Sequence, residues 1–205
     1  MVLIGIGANL AGPHGESPLD TVRWATIQLD GLLSLHLRSL SRWYKTEPLP
    51  PSDQPFYVNG VAHLAAPAGA VEPEPAELLI RLQEIESRGG RVRGERNAAR
   101  TLDLDIIAMG ECGATVRTSP DPLLPHPRAH TRAFVLVPLL EVASAWVHPV
   151  FRLTARELLA RLPRQATEPM EQESGLPSAA LGDQSAQAAH VGDRRIHGGP
   201  GYATA

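Results

Sequence analysis

Two aspartates, Asp103 and Asp105, sit inside an otherwise apolar run, RTLDLDIIAMG at residues 100–110. In an extended chain successive side chains alternate between faces, so Leu102, Leu104 and Ile106 share one side and the aspartates share the other. Same-face neighbours stand about 6.6–6.8 Å apart along a strand. Their like charges repel, and inside a domain each carboxylate needs a partner. One candidate partner is a hard divalent cation, since Mg²⁺ is commonly held by one or two carboxylates plus substrate phosphates. The other is arginine, and Arg88, Arg91, Arg93, Arg96 and Arg100 crowd the glycine-containing stretch just upstream. Taken alone, Asp-x-Asp favours a salt-bridged pair. A loop of guanidinium forks delivered to a carboxylate pair shifts the weight toward neutralising a polyphosphate with cation and arginine together. Gln83 and Glu86, at i and i+3, share a helix flank before the arginines. His126 and Arg132, in PHPRAHTRAF at residues 125–134, offer further donors.

The elements that must position these residues follow from pattern. Residues 2–7, VLIGIG, read as a buried strand. A helix begins at about Ser17, a good cap with Pro18 behind it, and Val22, Ala25, Ile27 and Leu29 form its apolar side. Residues 35–43 and 56–64 alternate as a second and third strand. A helix opened by PEPA at residues 73–76 carries the stripe Leu78, Leu79, Leu82 and Ile85 and stops at Gly89-Gly90. The Asp-x-Asp strand comes next. Residues 132–140 fit either a strand or a short helix, and residues 154–162 fit a closing helix. The order βαββαβ predicts an α+β fold: a ferredoxin-like antiparallel sheet flanked by helices, with the helices on one face. From about residue 164 the apolar period is lost, so a domain at 1–163 and a disordered C-terminal tail at 164–205 are expected.

Composition narrows the function classes. The chain has 205 residues, 43% hydrophobic, with formal net charge −3, which gives no global pull toward nucleic acid. No apolar run approaches the roughly 20 residues of a membrane helix, and the start lacks the basic segment of a secretory signal. Cys112 is the only cysteine, consistent with a reducing cytoplasm. Lys45 is the only lysine, so a Gly-Lys-Ser/Thr phosphate loop is excluded and any phosphate site must rely on arginine.

Five blocks resemble the 6-hydroxymethyl-7,8-dihydropterin pyrophosphokinase family. They are Ile4-Gly-Ile-Gly-Ala-Asn-Leu10, Tyr44-Lys-Thr-Glu-Pro-Leu49, Asp53-Gln-Pro-Phe-Tyr-Val-Asn59, Gly90-Arg-Val-Arg through Arg100-Thr-Leu-Asp-Leu-Asp-Ile106, and Pro125-His126 through Arg132-Ala-Phe to Glu141. The resemblance implies transfer of diphosphate from ATP to a pterin hydroxymethyl group, with ATP as co-substrate and two Mg²⁺ ions on Asp103 and Asp105. It implies a catalytic arginine loop of Arg91, Arg93, Arg96 and Arg100. Gln83, Glu86, Ile106, His126 and Arg132 match nucleotide-binding positions. Thr46, Pro48, Leu49, Tyr57, Asn59 and Phe134 match the pterin pocket. It further implies small-molecule partners only, with no nucleic acid or membrane, and a cytoplasmic monomer. The chain departs from the pattern at Asn97, where many relatives carry tryptophan, and at Glu47, often proline.

Other classes fit less well. An RNA-binding sheet needs aromatics on its central strands, where this chain has carboxylates. A Rossmann dinucleotide binder needs a third glycine where Leu10 stands. A catalytically dead scaffold would not need its aspartates and arginines intact.

Overall fold

The first apolar run forms β1, Val2–Ala8, and buries Val2, Ile4, Ile6 and Ala8 on one side. The other strands are β2 His36–Leu40, β3 Tyr44–Thr46, β4 Tyr57–Ala65, β5 Asp103–Ala108 and β6 Thr167–Pro169. In this computed structural model, which describes residues 1–92 and 98–171, they form a six-stranded sheet ordered β5-β1-β4-β3-β6, with β2 also paired to β4. All the pairings are antiparallel. This is the ferredoxin-like α+β arrangement that the element order predicts.

Residues 35–43 do not run as one strand. The Ser41 hydroxyl accepts the Val61 N–H at 2.9 Å, while Ser41 N–H donates to the Val61 carbonyl at 3.0 Å. A side chain thus takes a ladder position, and the segment divides into β2 and β3. Trp43 then covers Gly60, where any Cβ would lie 2.7 Å from the indole ring.

Helix α1, Pro18–Leu29, starts at Ser17, whose Oγ accepts the Asp20 N–H at 3.2 Å. Val22, Ala25 and Leu29 enter the core. Ile27, expected with them, is 67% exposed, because two residues from Ala25 is the opposite side of a helix. Helix α2, Pro75–Arg88, buries Leu78, Leu82 and Ile85 against the same face of the sheet. The expectation of helices on one face only is corrected by α3, Ala133–Val142, and α4, Ala155–Ala160. Leu136, Leu139, Ala155 and Leu158 pack with Leu3, Val61 and Ile107, which lie on the other face of the sheet. The ambiguous segment at 132–140 therefore resolves as helix.

The sheet also runs past the expected boundary at residue 163. Thr167–Pro169 pairs with β3, the Met170 N–H donates to the Trp43 carbonyl at 2.8 Å, and the Gln165 side chain accepts the Ala133 N–H at 2.8 Å. A three-residue strand is too short to show a period, which is why the sequence pattern missed it. The rest of the expected tail, residues 172–205, lies outside the described residues, as do Arg93, Arg96 and Asn97. Truncation after Arg164 is expected to lower the thermal midpoint by about 5 °C relative to truncation after Glu171, a loss of roughly 2 kcal/mol. Scanning calorimetry of the two truncations checks this, and equal midpoints would show that β6 adds nothing to stability.

Candidate active site

Residues directly opposed in an antiparallel ladder share a face. Register therefore places Asp103, Gly7, Asn59 and Tyr44 in one row across the sheet, and Asp105, Gly5 and Val61 in the next. The two glycines leave a bare strip between the carboxylates and Asn59. The closeness is real at Gly7, where a Cβ would lie 2.8 Å from Asn59 Oδ1. Asn59 is held in turn, since its Nδ2 donates to Thr46 Oγ1 at 2.7 Å. Part of this face lies open as a cleft. Thr46, Pro48, Leu49, Tyr57, Asn59 and Phe134 line one side, and Arg100, Asp103, Asp105, His126 and Arg132 the other, with Gly5 and Gly7 between them. Phe134 and Arg132 join the two sides, the Arg132 Cζ lying 5.4 Å from the Phe134 ring centroid.

The charges are arranged in layers. Asp103 Oδ1 meets Arg91 Nη1 at 2.7 Å and Arg100 Nη1 at 2.6 Å. Asp105 Oδ2 has His126 Nε2 at 3.6 Å and Arg132 Nη1 at 3.9 Å, the outer range of an ion pair. Arg91 also donates to Glu86, whose Oε1 accepts the Leu104 N–H at 2.7 Å. Glu86 thus fixes both an arginine and the backbone of β5 between the two aspartates. Burial pushes the Glu86 carboxyl up to about 7, against the lowering effect of the Leu104 N–H and Arg91. Burial, then the charge of Asp103, also raises Asp105, while His126 and Arg132 oppose the rise. Burial lowers His126, which favours the neutral imidazole at pH 7. The salt-bridge reading of the aspartates thus describes Asp103 well and Asp105 only loosely.

Of the remaining candidates, Ile106 faces away, packed in the core with Ile4, as strand alternation requires. Only its backbone is available to a ligand. Gln83 stands half-buried on α2, outside the cleft lining, and Glu86 and Arg91 reach the cleft through Asp103. The lining residues that received no role from the sequence include Gly5, Gly7, Gln54 and Arg128. The glycines were quoted as a motif, but their meaning depends on which strands flank β1. A glutamine in a proline-rich loop carries no chemical spacing at all.

Among the described residues no group of three or more His, Cys, Asp or Glu is placed to hold a metal. Asp103 and Asp105 supply hard oxygen donors, and Asp105 is electrostatically penalised beside Asp103. These two would hold a divalent cation only with further ligands from water or phosphate, as Mg²⁺ sites usually are.

The Glu86 shift has a measurable consequence. Its folded-state value, about 7, exceeds the free value of 4.5. Its contribution to stability is therefore fully present below about pH 4.5 and is lost as pH rises through about 7. Metal-free wild type should lose stability relative to Glu86→Gln across that window, by an amount on the order of 3 kcal/mol. Urea unfolding of both proteins from pH 4.5 to 7.5 measures it, and parallel pH profiles would refute the shift.

The sequence matches a family model described as 7,8-dihydro-6-hydroxymethylpterin-pyrophosphokinase over residues 3–144. The 2-amino-4-hydroxy-6-hydroxymethyldihydropteridine pyrophosphokinase of Haemophilus influenzae is 40% identical over 146 residues, covering 71% of this chain and 83% of that protein. The enzyme of the same name from Pseudomonas aeruginosa is 38% identical over 167 residues, covering 82% and 94%. The folic acid synthesis protein fol1 of Pneumocystis carinii is 33% identical over 153 residues, 75% of this chain and 19% of that much longer protein. A family match over most of the folded unit, with two bacterial relatives matched over 83% and 94% of their own length, settles the affiliation: the chain belongs to the 7,8-dihydro-6-hydroxymethylpterin-pyrophosphokinase family.

Proposed function

We propose that this chain transfers a diphosphate from ATP to the hydroxymethyl group of 6-hydroxymethyl-7,8-dihydropterin in folate synthesis. The substrate hydroxyl oxygen attacks the β-phosphorus, the bond to the α-phosphate oxygen breaks, and AMP leaves. The observation that carries this reading is the sheet row of Asp103, Gly7 and Asn59. It sets a polyphosphate-handling group and an amide suited to a heterocycle edge on one flat floor.

No side chain need act as nucleophile, so the protein's task is positioning and charge neutralisation. Asn59, oriented by Thr46, reads the edge of the ring, and Phe134, Tyr57 and Leu49 supply its flat walls. Arg100 and Arg132 face the phosphate side, joined in this reading by Arg91, Arg93 and Arg96. Gln83, Glu86, His126 and the Ile106 backbone belong to the nucleotide side, with Glu86 holding Arg91 and β5 in place. Two Mg²⁺ ions on Asp103 and Asp105, when bound, supply Lewis-acid neutralisation of the phosphate charge. The reading also places the enzyme in the cytoplasm as a monomer. The lone cysteine, Cys112, suits a reducing compartment, and no helix among the described residues is long and apolar enough to cross a membrane.

Asp105→Ala should lower kcat by about 10³-fold, a barrier increase of about 4 kcal/mol. Without metal the same variant should melt no lower than wild type, because the like-charge repulsion between Asp103 and Asp105 is removed. Mg²⁺ with a non-hydrolysable ATP analogue should raise the melting temperature of wild type and not that of the variant. A destabilised variant that keeps its activity would sink the metal assignment.

Gly7→Ala tests the ring side. The added methyl meets Asn59 Oδ1, and Asn59 is tethered to Thr46. Pterin affinity should fall about tenfold while affinity for the nucleotide analogue holds. Titration calorimetry with each ligand decides it, and unchanged pterin binding would remove Asn59 from the pocket.

A further inference from the structure

Between the phosphate side and the ring side of the cleft lies one buried amide that neither side claims. Asn9 follows directly on β1 and is 2% exposed. Its Oδ1 accepts the Arg100 N–H at 2.7 Å. Its Nδ2 donates to the Pro55 carbonyl at 3.1 Å and to Gln54 Oε1 at 3.3 Å. Its own N–H and that of Leu10 both donate to the Arg100 carbonyl, at 2.9 and 3.1 Å. Arg100 is therefore held on both sides of its peptide, with its guanidinium on Asp103 at 2.6 Å. On the far side, Gln54 Oε1 also accepts the Tyr57 hydroxyl at 3.2 Å. One side chain thus links the backbone that carries a phosphate-facing arginine to the segment that carries a wall of the ring pocket.

The chemistry of the link is specific. An amide offers an acceptor to Arg100 and a donor to residues 54 and 55 at the same time. A carboxylate of the same length keeps the first and cannot make the second. The Pro55 carbonyl and Gln54 Oε1 would then face a negative charge with no proton between them.

We propose that Asn9 is a positioning residue that couples the two substrate subsites. It fixes the 54–57 segment relative to Arg100, so that order imposed on Arg100 by nucleotide is passed to the ring pocket. This rests on the assignment of the two subsites under the proposed function.

The test uses the full chain. Titration calorimetry measures the affinity for Mg²⁺ with a non-hydrolysable ATP analogue, and for 6-hydroxymethylpterin, each alone and with the other saturating. In wild type the nucleotide analogue should tighten pterin binding at least tenfold. Asn9→Asp should leave nucleotide affinity within about twofold, weaken pterin binding about tenfold, and bring the coupling factor toward one. Asn9→Ala, which cuts both links, should weaken both ligands. Independent binding in wild type overturns the proposal, as does an Asn9→Asp variant with wild-type coupling, or one in which both affinities fall equally through a general loss of fold. Should Asn9→Asp fail to fold, Gln54→Met removes the acceptor shared by Asn9 and Tyr57 together with the rest of the Gln54 amide; reduced coupling supports the proposal and unchanged coupling overturns it. Failure of the underlying function looks different, for wild type would then bind neither ligand.

Discussion

Two carboxylates side by side on one face of a strand repel at every stage of folding, and the surroundings of β5 answer that repulsion from several directions. Arg91 comes from just beyond the end of α2, Arg100 from the approach to β5, and His126 and Arg132 from the segment before α3. Each must arrive at the same end of the same strand. Glu86 adds a third carboxylate to the cluster and turns it to use, gripping Arg91 and the Leu104 N–H at once. The charge problem is local, but its solution fixes where a helix ends and how three separated segments converge. A scaffold that pairs Asp103 closely and Asp105 only loosely is also prepared to exchange those contacts when a stronger cation and a polyanion arrive together. Arginine suits that exchange, because its fork pairs as readily with phosphate as with carboxylate.

The second constraint is register. A slip of one residue between β1 and β5 would move both aspartates to the core face. The strand side chains Ile4, Ile6, Leu104 and Ile106 prevent that by packing on the other face with the apolar side chains of α1 and α2. The apolar half of the Asp-x-Asp strand is therefore what aims the polar half. The second helical pair, α3 and α4, covers the opposite face around Leu3, Val61 and Ile107, while the floor beside it at Gly5 and Gly7 stays open to the cleft. Packing and site share one surface, divided by the alternation of β1 and β5.

How much of this was legible in the sequence varied with the length scale of the signal. Alternation in β5 and β1 gave the facing of the aspartates, and Ser17 with Pro18 gave the start of α1, because both are local and strong. The grouping of cleft residues rested on motif resemblance, and the structure brings most of them together, with Arg93 and Arg96 outside the described residues. Ile27 and Ile106 mark the limits of reading residues one at a time, since apolar type placed Ile27 wrongly and motif position hid that Ile106 points to the core. The break at Ser41 was invisible because a hydroxyl standing in for a backbone group leaves no trace in hydropathy. The strand β6 was too short to have a period, and the amide bridge of Asn9 joins residues 45 and 91 positions away. Nothing short of the folded topology reveals a contact of that kind.

The glycine floor carries a consequence for molecular recognition. β1 lies between two strands, and its ladder pairs run to both β4 and β5 across Gly5 and Gly7. The peptide groups there are already committed on both flanks, and no side chain rises from them. A planar molecule resting on this strip meets backbone that offers mainly dispersion, with the Asn59 amide oxygen leaning over it at Gly7. Discrimination among flat heterocycles then falls to the perimeter, where Asn59 and Thr46 stand at one margin and the charged cluster at the other. A ring of the right shape but the wrong edge would settle on the strip and leave again. Compounds selected against this pocket should accordingly gain little from changes to their faces and much from changes to their rims.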